Sequence, residues 1–449
     1  MKYTACFCIL SIVLLSCKTR TPDSIRISSS FSLESAIDSF VFPFIDSAKA
    51  AGVAVAVYKK NEKLMLKSYG YADLEFKTSL PTNASFEIGS VTKQFTTAAI
   101  LQLVDSGKIN LDEDFTKYLN FNTQGRKISV KRLMDHTSGI RGYTEMDVFE
   151  SLVPFKYPKD TLLRLVEKEK FDFEPGEALI YNNTAFFILG LILEKVTGTS
   201  YENYIQKNLF DKAGMTNSYY CSESKVVLNR AHGYDMGEYS LRRAGYLDHT
   251  WPYSAGSLCS TPEDLVKWND ALHHGRILSE KMYDEFLATA VFNNGSKGKY
   301  AKGISVTTDH GKKMLQHGGG IFGFLSENRY YPSEDISIIV LINSTGPLDP
   351  GEVAKRVADH MFGKPQETIT HYTGDLTPFT GTFSGRSRGR DIKITISQKD
   401  SALVLKREDK ETVLNYLSGT TWKNDHEEYT FKENELYLDQ VYGYLVLKK

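Results

Sequence analysis

A serine and a lysine three residues apart lead into a long apolar run. The segment reads Ser90-Val91-Thr92-Lys93, then Phe95-Thr96-Thr97-Ala98-Ala99-Ile100-Leu101-Gln102-Leu103-Val104. On a helix, residues three apart stand one turn from each other on the same face. The pair can then act as nucleophile and proton acceptor, provided the lysine is uncharged. Two effects push it that way. The first turn lies at the positive end of the helix macrodipole, and burial disfavours an ammonium. A serine activated in this way attacks a carbonyl and forms an acyl-enzyme. Ser-x-x-Lys recurs at Ser222/Lys225 and Ser296/Lys299. Ser296 lies in the loop composition Gly295-Ser296-Lys297-Gly298, and the apolar run after Ser222 is too short for a helix. Only the Ser90 copy opens a helix, which Asp105-Ser106-Gly107 ends.

Other elements must hold this pair in place. Ala51 to Tyr58 reads as a buried strand, and Leu64 to Tyr69 returns as its hairpin partner. A mixed helical region runs to about residue 285. Within it, Asn183 to Val196 is an apolar helix, and Ser260-Thr261-Pro262-Glu263 opens another with a capping box and proline at the first position. Phe322 to Tyr331 and Ile336 to Asn343 form a late antiparallel hairpin around Pro332-Ser333-Glu334-Asp335, before a helix at 352–362. Strands at both ends of a helical middle predict one antiparallel sheet covered by helices, an α+β fold. After Gly363-Lys364-Pro365 the composition shifts to short strands at regular spacing, predicting a separate small all-β domain over 366–449. No catalytic constellation stands out there, and its basic run Ser384 to Arg390 reads as a solvated loop.

Three elements follow in order: Ser90-Val91-Thr92-Lys93, Tyr181-Asn182-Asn183 and His317-Gly318-Gly319-Gly320. Around them stand Phe86-Glu87-Ile88-Gly89, Leu133-Met134-Asp135-His136-Thr137-Ser138-Gly139, Glu174-Pro175-Gly176 and Ala255-Gly256-Ser257-Leu258. On these residues the chain resembles the serine β-lactamase and penicillin-recognising family. The branch is the one of class C β-lactamases, D-alanyl-D-alanine carboxypeptidases, D-aminopeptidases and related esterases. The resemblance spans roughly 33 to 362 and implies a β-lactamase/transpeptidase-like hydrolase domain over 31–365. The C-terminal region looks like the lipocalin-like extension of some members. By resemblance, Ser90 is the nucleophile, and Lys93 and Tyr181 share its proton. Tyr181 then returns that proton to the leaving group as general acid. Cations near Tyr181 are expected to favour its phenolate. Asn183 would hold Lys93 and a substrate amide, while His317, Gly318 and Gly319 line the substrate. The amides of Ser90 and Gly320 would form the oxyanion hole. His136 is read as structural, holding its loop through a backbone hydrogen bond. One departure stands out. Many members carry Lys-Thr-Gly where this chain has His317-Gly318-Gly319, and a histidine is mostly neutral near pH 7. That weakens a β-lactamase assignment and fits a peptidase, aminopeptidase or esterase at least as well. Gly-x-Ser-x-Gly occurs at Gly385 to Gly389, but within the basic run among the short C-terminal strands and with no apolar helix after it, so it does not read as an α/β-hydrolase elbow.

The chain has 449 residues, a net charge of −1, 41% hydrophobic and 24% charged content. This is a globular balance with no basic excess to attract nucleic acid. Met1-Lys2 and the apolar stretch Ala5 to Leu15 read as a signal peptide over 1–17. Leu14-Leu15-Ser16-Cys17 resembles the lipobox of bacterial lipoproteins. By that resemblance Cys17 is acylated and attaches the protein to the lipid bilayer of the cell envelope. Residues 18–30 form a polar tether. Cys221 and Cys259 then remain in the mature fold; an oxidising envelope allows them to pair, but two separate buried thiols are the expected state. No zinc spacing occurs, His273-His274 reads as a solvated helix end, and no metal or cofactor is expected. The expected partner is a small-molecule or peptide substrate. The competing reading is a catalytically silent module that binds peptidoglycan stem peptides or other envelope ligands.

Overall fold

The computed structural model describes residues 32–366, 370–425 and 427–449. The expected signal peptide, its tether and Cys17 lie outside these residues. Among the described residues no helix is long and apolar enough to cross a membrane.

The strand Gly52–Lys59 sits near the middle of a seven-stranded sheet. It pairs antiparallel with Glu62–Asp73 on one side and with Ile336–Ile342 on the other, so the N-terminal and late hairpins meet as expected. Beyond Ile336–Ile342 follow Phe324–Tyr331, Lys312–Ile321 and Ser305–Asp309. The alternation of side chains divides the central strands between two cores. Val53, Val55, Ile338 and Val340 pack with Ile37 and Val41 of the helix Leu33–Asp46 and with Val353 and Val357 of the helix Pro350–Phe362. Ala54, Ala56, Ile339 and Leu341 face the helical region. At its centre stands the helix Thr92–Asp105, buried at 11 of its 14 positions, as its all-round apolar composition requires. The later helix Pro262–His273 takes Thr261 as its cap, which leaves Glu263 free to accept a hydrogen bond from the Tyr58 hydroxyl.

The C-terminal region forms eight antiparallel strands between Gly381 and Lys448, and the first and last strands meet at Ser384 and Lys448 to close a barrel. It is not separate from the region before it. Gly443 and Tyr444 pair with Ile180 and Leu179, so the short strand leading to Tyr181 extends the barrel sheet. Leu179, Phe292, Tyr300, Tyr437 and Tyr444 form a common apolar cluster across this junction. A boundary read from composition cannot register such a long-range strand pairing.

Three further expectations are corrected. Cys221 and Cys259 form a disulfide; the strands Tyr219–Tyr220 and Leu258–Ser260 pair and bring the two cysteines side by side. The basic run is the hairpin of Gly381–Ser387 and Arg390–Lys399 rather than a free loop, and its Arg386 lies 4.0 Å from Asp172 of the helical region. His273 is not solvated: its ring stacks on Tyr330 and its Nδ1 lies 2.8 Å from the Tyr283 hydroxyl.

Candidate active site

The turn Gly89–Val91 runs directly into the helix Thr92–Asp105. Gly89 has φ +49°, and a Cβ there would stand 3.0 Å from the Gly320 nitrogen and oxygen. Only glycine lets this turn lie so close to the strand Lys312–Ile321. One residue along the strand, a Cβ on Gly319 would meet the Ile88 carbonyl oxygen at 2.2 Å. Ser326 Oγ donates to that same oxygen at 2.9 Å. The Ser90 turn is thus keyed to the glycine strand, with Ser90 partly exposed and Gly320 exposed beside it.

Lys93 is completely buried. Its Nζ lies 2.8 Å from Asn183 Oδ1, 2.8 Å from the Ala255 carbonyl and 3.1 Å from Ser90 Oγ. Burial holds its pKa well below the ordinary lysine value, and the distant Glu145 only partly opposes this. The uncharged amine has two N–H bonds and one lone pair. The two carbonyl oxygens can only accept, so they take the two N–H bonds and the lone pair is left facing Ser90. The other Ser-x-x-Lys copies differ. Lys225 pairs with Glu202 at 2.7 Å and Lys299 with Glu428 at 2.8 Å.

Tyr181-Asn182-Asn183 divides its work by position. Asn182 caps the helix Asn183–Thr197, accepting from the Ala185 N–H at 2.8 Å. Asn183 then emerges at the first helical residue toward Lys93, and Tyr181 directly follows the strand Leu179–Ile180. The Lys93 Nζ lies 4.7 Å from the Tyr181 ring centre. The Tyr181 hydroxyl is buried and lacks a hydrogen bond of good geometry, with Ser90 as the neighbour that most favours its ionisation. Burial nevertheless raises its pKa well above the ordinary value. This corrects the phenolate expectation: burial disfavours the ionised form of both Tyr181 and Lys93. His136 fits its structural reading. Its Nδ1 accepts from the Asn182 N–H at 3.1 Å, and its ring lies 4.4 Å from that of Tyr181.

His317 is 1% exposed. Its Nδ1 lies 2.6 Å from the Gly318 carbonyl and its Nε2 lies 3.0 Å from the Tyr300 hydroxyl. Since the carbonyl can only accept, Nδ1 carries the proton and Nε2 accepts from tyrosine. Burial, assisted by Lys93, moves the His317 pKa to about 3. The ring is therefore neutral and engaged at both nitrogens. Sequence reasoning passed over Tyr300, the Ala255 carbonyl and Tyr442, whose hydroxyl accepts from the Gly318 N–H at 2.9 Å. The phrase around Ala255 was visible, but a backbone acceptor carries no side-chain signal.

A cavity of about 140 Å³ opens at Ser90, lined by Tyr143, Phe149, Leu247, Trp251 and Phe322 among others. Its walls suit an apolar substituent. A larger cleft of about 310 Å³ contains Glu87, Glu223, Arg230 and His232 but none of the Ser90 partners. Two sets of ligand-type side chains lie outside the Ser90 cavity: Asp73, Glu75 and His232, and Glu87, Glu223 and His249. Arginines already neutralise them, Arg243 at Glu75 and Arg230 at both Glu87 and Glu223.

A family model described as Beta-lactamase matches residues 37–361. The chain is 26% identical to a D-aminopeptidase of Gluconobacter oxydans over 76% of this chain and 65% of that protein. It is 29% identical to the putative penicillin-binding protein PbpX of Bacillus subtilis over 68% of this chain and 74% of that one. The chain thus spans just under two thirds of the length of the D-aminopeptidase. Among solved structures, an octameric penicillin-binding protein homologue from Pyrococcus abyssi is 23% identical with a TM-score of 0.66, over 91% of this chain and 99% of that one. A D-amino acid amidase from Ochrobactrum anthropi is also 23% identical, with a TM-score of 0.63 over 73% and 98%. These two likenesses establish the fold, the first across most of the barrel as well.

Proposed function

The chain belongs to the beta-lactamase family, and from that premise we propose that it is a serine hydrolase acting on amide or ester carbonyls through an acyl-enzyme on Ser90. The observation that carries this reading is the buried Lys93 amine, held by two carbonyl oxygens with its third contact on Ser90 Oγ. As Oγ attacks, its proton passes to Nζ. The new ammonium sits over the Tyr181 and Phe186 rings, whose faces favour a cation. The oxyanion forms against the Ser90 and Gly320 amides. Tyr181 gives its proton to the departing nitrogen or oxygen and is reprotonated from Lys93. Water then enters, the same groups remove its proton, and Ser90 is released.

The neutral, doubly engaged His317 supplies no fixed charge for a substrate carboxylate, which favours amidase, aminopeptidase or esterase activity over action on penicillins. The D-aminopeptidases among the relatives support an amidase-type substrate. A silent binding module would gain nothing from an uncharged lysine aimed at a serine, because burying that amine lowers stability. Hydrolysis of amino-acid amides of both hands, p-nitrophenyl esters and nitrocefin by wild type and Ser90→Ala tests the reading. Turnover by wild type alone, with an acyl adduct on Ser90 by intact-protein mass, is expected. Equal rates in the two proteins would contradict it. The reading extends to an envelope location through acylated Cys17, supported by the Leu14 to Cys17 spacing. Metabolic labelling with an alkyne fatty acid in a bacterial host should mark wild type and miss Cys17→Ser.

A further inference from the structure

Along the strand Lys312–Ile321, one edge is paired with Phe324–Tyr331 up to Ile321, but the other meets Ser305–Asp309 only as far as Gln316. Beyond Gln316 the peptide groups of Gly318 and Gly320 face an edge that no strand among the described residues covers. Such an edge accepts an extended chain as an added strand. Here it is half closed from within. The Gly318 N–H donates to the Tyr442 hydroxyl at 2.9 Å, and the Gly318 carbonyl accepts from His317 Nδ1 at 2.6 Å. Gly320 alone remains for substrate.

Tyr442 lies in the turn between the last two barrel strands, Glu435–Gln440 and Gly443–Lys448. That turn is anchored on both sides. Ser305 Oγ donates to the Val441 carbonyl at 3.3 Å, and Gly443 pairs with Ile180. The Tyr442 ring lies 5.2 Å from His317, 5.9 Å from Tyr181 and 6.0 Å from Tyr300, centre to centre. The group that protonates a leaving group must stand beside it, so the Tyr181 side of Ser90 is the leaving-group side. Tyr442 stands on that side and does not line the apolar cavity. Gly318 and Gly320 are two residues apart, roughly 7 Å along a strand. A leaving group longer than about one residue therefore runs into the tyrosine.

Resting on the acyl-enzyme reading above, we propose that Tyr442 sets the length of the leaving group, admitting ammonia, a small amine or a single amino acid and excluding longer peptides. The residue lies beyond 37–361, the stretch that the family model matches. The barrel thus contributes a specificity residue to a site whose chemistry lies in the other region.

The test uses the full chain and phenylalanine derivatives of both hands that share one acyl part: the amide, the glycine dipeptide and the triglycine extension. Wild type should show kcat/KM at least 100-fold lower for the triglycine extension than for the amide. Tyr442→Ala should raise the ratio of long to short substrates at least 10-fold. Tyr442→Phe, which keeps the ring, should stay within 3-fold of the wild-type ratio. Tyr442→Leu reads the same ratio should the alanine variant fold poorly. A barrel that was merely weakened would lower all three substrates together and leave the ratio unchanged. An unchanged ratio in the alanine or leucine variant, or a wild type that cleaves long and short substrates equally, overturns the proposal. Fluorophosphonate labelling of Ser90 in the same preparations separates the two readings. Labelling with an unchanged ratio removes the length limit alone, while absence of labelling removes the acyl-enzyme reading and the limit together.

Discussion

Among the described residues two lysines are completely buried, Lys93 and Lys302, and their surroundings differ. Lys302 lies 2.9 Å from the Glu285 carboxylate and donates to the carbonyls of Glu285 and Ala288. Lys93 has two carbonyl oxygens and a serine, with no carboxylate in contact. Burial lowers both pKa values, but Glu285 opposes the shift directly at Lys302. The two regions touch: a Cβ on Gly303 would lie 2.6 Å from the Lys93 carbonyl. The comparison teaches that burial alone does not make a lysine a base. What distinguishes Lys93 is burial without a counter-charge and with its lone pair directed at a hydroxyl.

The largest expected effect is on turnover. Lys93→Met should reduce kcat by on the order of 10⁴-fold or more, as when a member of a catalytic set is removed. Lys302→Met should fold less stably yet keep turnover within a few-fold under conditions where it is folded. Steady-state rates with a common amide substrate check both, and comparable losses would erase the contrast. Tyr181→Phe removes the proton donor and should lower kcat by about 100- to 10,000-fold, the usual range for general acid–base groups. Gly319→Ala brings a methyl against the Ile88 carbonyl and displaces the Ser90 turn from Gly320. A loss of about 100- to 1000-fold, the size of one oxyanion donor, is expected from the same assay.

Stability should separate the lysines in the opposite sense. Lys302→Met leaves Glu285 with Lys131 as its remaining cation, at 3.3 Å, and takes the donor from the Glu285 and Ala288 carbonyls, so a loss of about 2 kcal/mol is expected in urea unfolding. Lys93→Met should be as stable as wild type or more so near pH 7. The unfolded chain protonates this lysine up to its ordinary pKa, whereas the folded chain does not, so the wild type loses stability below that value. The advantage of the methionine variant should therefore shrink as pH rises toward about 10.4.

The buried histidines add an effect that is confined to acid pH. The pKa values of His273 and His317 fall to about 3, burial being the main cause. The unfolded chain takes up protons below about 6.5 and the native state does not. Each ring should remove stability as pH falls from 6.5 toward 3, at about 1.4 kcal/mol per pH unit. His273→Phe should flatten the acid limb of the stability curve by about one proton, and an unchanged slope would show that the ring titrates normally.

Local order was well represented in the sequence. Ser90 and Lys93 are separated by helical spacing, the Asn183 helix is capped by its neighbour Asn182, and the paired strands around Gly52–Lys59 and Ile336–Ile342 carry unmistakable apolar runs. Contacts between distant segments were not legible. Tyr442 sits in an ordinary turn, with no motif to distinguish it from the other tyrosines. Its place at Gly318 depends on the pairing of Gly443 with Ile180, far apart in the chain. The protonation of Tyr181 was misjudged for a related reason. Burial was weighed for Lys93, but its effect on the Tyr181 hydroxyl, whose pKa it raises, was not. The disulfide likewise depends on the pairing of two short strands that composition does not predict.

The pH dependence of Ser90 labelling by a fluorophosphonate tests the uncharged lysine most directly, since it reads nucleophile activation without substrate recognition. The rate should reach half its maximum well below pH 10.4, the ordinary lysine value, and should collapse in Lys93→Met but not in Lys302→Met. A rate still climbing near pH 10.4, or a Lys93→Met protein that labels like wild type, would contradict the account.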